Sequence, residues 1–489
     1  MSLKDKTVSG LTWSFIDNFA KHGVQFIFGI ILARLLTPRE FGLIGMTTFF
    51  VAFLQPFVIS GLPHALIRKS KCTQEDYSTV FYYNFVVSIV VYAILFLSAG
   101  VISNFFDEPK LKLIIRVSSL GIIISSVSIV QGVILSKRID FKLLTKISII
   151  SALGAGIIGV VMAYRGFGVW SLVAKHLMIA LITTLLLWIW NKWRPSLVFS
   201  WQSFKEMFSF GSKLLASSLL DTIHRHIYLL VIGKYFSAEE LGYYTRATQF
   251  KKLPSENITR VVQRVSYPVL ASIQEDIPRL KASYQKLIRS TMFITFVSMI
   301  GMAAVAKPMV LTLIGEQWLP SVIYLQLLCF VGMSYPLQAI NLNMLQVQGR
   351  SDLFLKLEII KKLLVIPTIF VGIFLGIKIM IGLMFFNTLI AFFINSKWSG
   401  KFIGYSSLDQ LKDIFPSFLV AISMGLPVFM AGQFLRTSPL VTLTFQILLG
   451  AVLTLGLTEI FRMKDYLLIK TIVMEKIFKK FGKDNEKRY

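Results

Sequence analysis

Apolar segments long enough to cross a bilayer follow one another along almost the whole chain, and charged residues lie inside several of them. A span needs roughly 20 mostly apolar residues, and helix is the conformation that satisfies its backbone polar groups without water. About fourteen such segments fit, near 11–36, 41–66, 77–103, 111–136, 142–164, 167–190, 208–235, 242–272, 284–306, 318–348, 353–376, 379–398, 414–434 and 440–461. Hydrophobic residues make up 55% of the 489, which excludes a soluble globular domain. The expected fold is an all-α integral membrane protein. Cys72 falls in a basic loop and Cys329 in an apolar segment, so neither a disulfide nor a metal site is predicted.

Loop charge orients the spans. Arg68, Lys69 and Lys71 follow the second, Lys137, Arg138 and Lys142 the fourth, Lys192, Arg194 and Lys205 the sixth, and Arg279, Lys281 and Lys286 the eighth. The alternate loops carry few cations, such as Arg165, Lys234 and Lys378. Cations crowd the cytoplasmic side of membrane proteins, so both termini are expected in the cytoplasm. The first apolar run holds Asp17, Lys21 and His22 and no small-x-small site follows it, so it reads as a span rather than a cleaved signal.

The chain repeats itself. Ile31-Leu-Ala-Arg-Leu-Leu-Thr-Pro-Arg-Glu-Phe-Gly42 returns 200 positions later as Val231-Ile-Gly-Lys-Tyr-Phe-Ser-Ala-Glu-Glu-Leu-Gly242. Six spans separate the copies, an even number, so both have the same orientation in the membrane. The expected organisation is two pseudo-symmetric six-helix lobes, 1–200 and 201–400, two additional transmembrane helices over 401–461, and a basic cytoplasmic tail, 462–489.

Ionised groups inside a bilayer cost about 2.5–3.5 kcal/mol each on insertion scales, so they persist where they pair or face a wet cavity. In the eighth span, Arg246, Gln249, Lys252, Glu256, Arg260 and Gln263 step by three or four residues and form one polar stripe. Lys251 and Arg264 flank it, and Pro254 within it predicts a kink. A basic helix lying on the membrane surface has the same pattern, but removing this span would invert the charge of every later loop. In the seventh span Lys213, Ser217, Asp221, His224 and Tyr228 share a face, and Arg225 lies one turn after Asp221. The first span echoes this with Asp17 and Lys21.

Cations in a low-dielectric cavity suit an anionic cargo. Arg246, Lys252, Arg260, Arg225, Lys21 and Arg116 are the candidates to bind it. Asp17, Asp221 and Glu256 are candidates for coupling to H+ or Na+, with self-neutralisation by a base one turn away as the competing use. Gln338, Asn341 and Gln348 of the tenth span suit either sugar hydroxyls or interhelical hydrogen bonds. His224 and His226 point to different sides of a helix, which disfavours zinc. No Walker A sequence, no cytoplasmic Asp-x-Asp and no long external loop are present, so neither an enzyme nor a resident cofactor is expected. Nothing in the pattern points to nucleic acid.

Leu32-Ala-Arg-Leu-Leu-Thr-Pro-Arg-Glu-Phe-Gly42, Leu241-Gly-Tyr-Tyr-Thr-Arg-Ala247, Tyr267-Pro-Val-Leu-Ala-Ser-Ile-Gln-Glu-Asp276 and Gly315-Glu-Gln-Trp-Leu-Pro320 resemble segments of the polysaccharide transporter family. That family belongs to the multidrug/oligosaccharidyl-lipid/polysaccharide flippase superfamily. The resemblance implies two six-helix bundles around a central cavity, working by alternating access in a bacterial inner membrane. It implies a polyprenyl-pyrophosphate-linked oligosaccharide as cargo, for lipopolysaccharide or exopolysaccharide synthesis, with polymerase or assembly proteins as partners. The second span, counterpart of the eighth, carries only Gln55 in a largely apolar stretch, so the basic lining is expected to be lopsided. One rival is a cation-coupled multidrug exporter, which calls for an acid-lined cavity. Another is a non-transporting component of a glycan-assembly complex, which has no need of buried charge.

Overall fold

The computed structural model of the protein describes residues 23–463, which are helical and contain no strand. Helices α1 (Gly23–Leu35), α2 (Pro38–Ile59), α3 (Leu62–Arg68), α4 (Gln74–Phe106) and α5 (Leu111–Ser118) come first. Then follow α6 (Leu120–Lys137), α7 (Phe141–Tyr164), α8 (Val169–Trp190), α9 (Trp201–Tyr235) and α10 (Ala238–Ala271). The rest are α11 (Ile277–Ala304), α12 (Ala306–Leu313), α13 (Ser321–Gly332), α14 (Tyr335–Val347), α15 (Ser351–Leu363), α16 (Val365–Leu375), α17 (Ile377–Lys401), α18 (Ser407–Phe434) and α19 (Pro439–Ile460).

Ten stretches among the described residues are long and apolar enough to cross a membrane: α2, α4, α5 with α6, α7, α8, α11, α13 with α14, α17, α18 and α19. The chain is therefore a multi-pass membrane protein. The other four expected spans differ for identifiable reasons. The first begins ahead of the described residues. The seventh and eighth are α9 and α10, 35 and 34 residues long, whose charge keeps them out of the apolar set. The eleventh is interrupted at Leu364, between α15 and α16.

Span ends carry their own punctuation. Thr37 with Glu40, Thr73 with Asp76 and Ser406 with Asp409 form capping boxes at the starts of α2, α4 and α18. Lys137 Nζ donates to the carbonyls of Leu66 and Lys69 at 2.9 and 2.5 Å, closing the C-terminal end of α3 where the helix dipole favours a cation.

The described residues divide into two compact units between Thr245 and Arg246. In the first, α2, α3 and α4 pack on α9, and α6 and α7 pack on α8. Leu62, Leu66, Val80, Val130, Ile134 and Met207 form a core, ringed by aromatic side chains such as Tyr83, Trp188 and Phe204. The repeat has a geometric counterpart here. A methyl group on Gly42 would collide with the carbonyl of Ala238, and one on Gly242 with the carbonyl of Pro38. Pro38 and Ala238 are themselves repeat-related, so the contact is reciprocal, as a two-fold relation between copies requires.

In the second unit α11 packs on α18, and α13 and α14 on α17. A buried polar cluster ties four helices together. Tyr284 donates to Asn341 Oδ1 at 2.8 Å, Ser399 donates to the same oxygen at 2.5 Å, and Asn341 Nδ2 donates to Gln410 Oε1 at 3.2 Å. The tenth expected span is itself broken, because α13 ends at Gly332 and α14 starts at Tyr335.

Candidate functional site

Helix α10 continues through Pro254 and Pro268. Ser255 and Thr259 hydroxyls bond back to the carbonyls of Lys251 and Ser255 at 2.9 and 2.7 Å beside the first proline. Over residues 246–271 the helix has two faces. Ala247, Phe250, Lys251, Ser255, Val262, Ser266 and Leu270 are buried, and Asn343 Nδ2 donates to Ser266 at 2.7 Å. Gln249, Lys252, Gln263 and Arg264 are exposed, with Glu256 and Arg260 half-buried between them. The predicted stripe is thus a physical face of α10 from Gln249 onward.

Three placements differ from a simple stripe. Arg246, at its head, is buried. Its guanidinium lies 5.6 Å from the ring centre of Trp318 and donates to Gln249 Oε1 at 2.6 Å. Arg260 Nε donates to the backbone carbonyl of Glu256 at 3.3 Å. Lys251, read from sequence only as a flank, is 4% exposed. Its ammonium lies 4.5 Å from the ring centre of Tyr335 and 3.4 Å from the hydroxyl. The signal for it was available, because position 251 stands one turn from both Ala247 and Ser255, small residues on the side away from the stripe.

On α9, Asp221 and Arg225 form the expected i,i+4 ion pair, at 2.7 Å. They are 45% and 71% exposed. Arg116 ends α5 with its guanidinium 4.1 Å from the ring centre of Phe96 and Nε donating to the Phe96 carbonyl at 3.2 Å. It is committed to α4. Asp17, Lys21 and the basic tail lie outside the described residues.

Of the tenth-span amides, Asn341 serves interhelical hydrogen bonding in the cluster described above, and Gln338 Nε2 reaches the Thr388 carbonyl at 3.4 Å. Gln348 faces a cleft of about 540 Å³ in the second unit, which Gln274, Ile277 and Phe402 also line. No charged side chain lines that cleft, so it does not suit a pyrophosphate.

Residues 31–323 match the family described as polysaccharide biosynthesis protein. The chain is 25% identical over 432 residues to the teichuronic acid biosynthesis protein TuaB of Bacillus subtilis (strain 168), covering 88% of this chain and 89% of that one. It is 25% identical over 445 residues to the lipopolysaccharide biosynthesis protein WzxC of Escherichia coli (strain K12), covering 88% and 90%. Among solved structures, the lipid II flippase MurJ in an inward closed conformation superposes with a TM-score of 0.72 at 14% identity, over 92% of this chain and 98% of that one. At that identity the likeness establishes a shared fold.

Proposed function

Because the chain belongs to the polysaccharide biosynthesis protein family, we propose that it is a flippase for polyprenyl-pyrophosphate-linked oligosaccharide repeat units. It moves them across the bacterial inner membrane by alternating access, for the synthesis of a surface polysaccharide. Fourteen transmembrane helices, in two six-helix lobes around a central cavity and a C-terminal pair, accomplish this, with both termini in the cytoplasm. The chemistry is binding and translocation, with no bond made or broken.

One observation carries the reading: the polar face of α10, where Lys252, Arg260 and Arg264 stand along a membrane-length helix with Gln249 ahead of them and Gln263 among them. Such charge is costly in hydrocarbon, and an anionic headgroup moving along the face offsets that cost. Ammonium and guanidinium groups bind phosphate oxygens through charge-assisted hydrogen bonds, and amides suit sugar hydroxyls. Lys252 and Arg260 are the principal pyrophosphate contacts, joined by Arg225 on α9 and by Lys21. Arg246 supports the head of the face from its buried position, and Arg116 acts through α4. Asp17, Asp221 and Glu256 couple the cycle to a proton or sodium gradient. A drug exporter for organic cations would need the opposite sign along α10.

The test is leaflet translocation of a fluorescent polyprenyl-pyrophosphate oligosaccharide in proteoliposomes, comparing wild type with Arg260→Ala. Transport by the wild type that falls about tenfold or more in the variant is expected from the loss of a charge-assisted contact. Transport that survives both Arg260→Ala and Lys252→Ala would move the headgroup site off α10. Wild-type transport indifferent to imposed pH and sodium gradients would remove the coupling role from the three carboxylates.

A further inference from the structure

Lys251 and Lys252 are neighbours in sequence with opposite fates. Lys252 stands on the exposed face. Lys251 turns into the second unit and ends at the break between α13 and α14. Its stem lies against Gly332, the last residue of α13. A methyl group on Gly332 would sit 2.8 Å from Lys251 Cδ and 2.6 Å from the terminal methyl of Met299. Only glycine leaves that stem its room. The ammonium then meets the face and the hydroxyl of Tyr335, the first residue of α14. The thiol of Cys329, fully buried, lies within electrostatic reach. Among the described residues no carboxylate forms a salt bridge with Lys251.

A buried ammonium without a carboxylate requires another source of negative potential. The break supplies it. The C-terminal end of α13 carries the negative end of the helix dipole. Pro336 has no N–H, so the carbonyl of Gly332 cannot receive the amide four residues on. The π-face of Tyr335 attracts a cation directly. A half-helix C-terminus, a carbonyl without its helical partner and an aromatic face, midway along a membrane-length apolar stretch, resemble the surroundings in which discontinuous transmembrane helices hold a monovalent cation.

We propose that the break between α13 and α14 is a monovalent-cation site whose cation is carried by the chain itself, the ammonium of Lys251. The second unit thereby holds permanently what a free ion would otherwise enter and leave. Packing at the break is independent of sodium, and removing the ammonium opens a site there for a small free cation.

The experiment uses the full-length protein in detergent and no cargo, so its outcome is separate from that of the translocation assay. Thermal unfolding is followed by tryptophan fluorescence in choline chloride, sodium chloride or methylammonium chloride at equal ionic strength. Wild type is expected to melt at the same temperature in choline and methylammonium, and its response to sodium, which includes any ion held by the coupling carboxylates, is the baseline for the variants. Lys251→Ala is expected to melt several degrees lower in choline and to recover at least half of that loss in methylammonium or sodium. Lys251→Arg, which keeps a cation, is expected to respond to the three salts as the wild type does. Should Lys251→Ala fail to fold, Lys251→Gln keeps the stem and carries the same expectation. A Lys251→Ala variant that gains no more from sodium or methylammonium than the wild type does would overturn the proposal, because no cation site would then have opened at the break. So would a loss in both variants that no cation restores, since the lysine would then be packing alone.

Discussion

Helices α2 and α10 begin alike and continue differently. Both follow a hydroxyl residue, Thr37 or Ser237, whose side chain meets the residue three positions on, and both place a glycine, Gly42 or Gly242, against the other copy's first helical residue. Beyond that crossing α2 carries no charge, and Val51, Ala52 and, just past its end, Ser60 stand where α10 has Lys251, Lys252 and Arg260. The shared part is a close backbone approach, which tolerates no side chain. The differing part is the length of helix that α10 devotes to charge. The repeat thus preserves a packing contact, while the proposed headgroup chemistry resides where the copies diverge.

The largest effect should come from the shared part. Gly42→Ala and Gly242→Ala each drive a methyl group into a backbone carbonyl, which yields only if the helices separate. Each should lower stability by about 1–3 kcal/mol or more, by nearly equal amounts. Thermal unfolding in detergent measures both, and a strongly unequal pair would break the reciprocity. The next effect belongs to the divergence. Giving α10 the residue of its counterpart, Lys252→Ala, should weaken transport by about tenfold through KM with unfolding unchanged. The control Arg436→Ala, at an exposed cation between α18 and α19, should leave transport near wild type. A similar loss in both would mean that the α10 face has no special role. The smallest effect concerns the second unit alone. Asn341→Leu removes the shared partner of the buried Tyr284 and Gln410, while Tyr284 keeps Ser399, and should cost about 1 kcal/mol. Unfolding should register that loss, while KM for cargo stays constant if Asn341 serves the fold and not the sugar.

The spans, the stripe and the repeat were legible in the sequence because each is local or periodic. Hydropathy over some twenty residues sets what enters a bilayer, and a step of 3.6 residues per turn places Gln249, Lys252, Glu256, Arg260 and Gln263 on one face whatever surrounds the helix. The caps at Thr37, Thr73 and Ser406, found in the structure, are local in the same sense, since cap and partner lie three residues apart. The fate of individual cations was not legible, because it depends on residues far along the chain. Trp318 draws Arg246 inward, Phe96 holds Arg116 on α4, and Gly332 with Tyr335 takes in Lys251 while Lys252 stays exposed. By itself the sequence determined that this is a multi-pass helical protein with a charged helix at the start of its second repeat. Only the tertiary structure decided which of those charges are spent on the fold and which remain available to an anion, because burial is a property of the partners that close over a side chain.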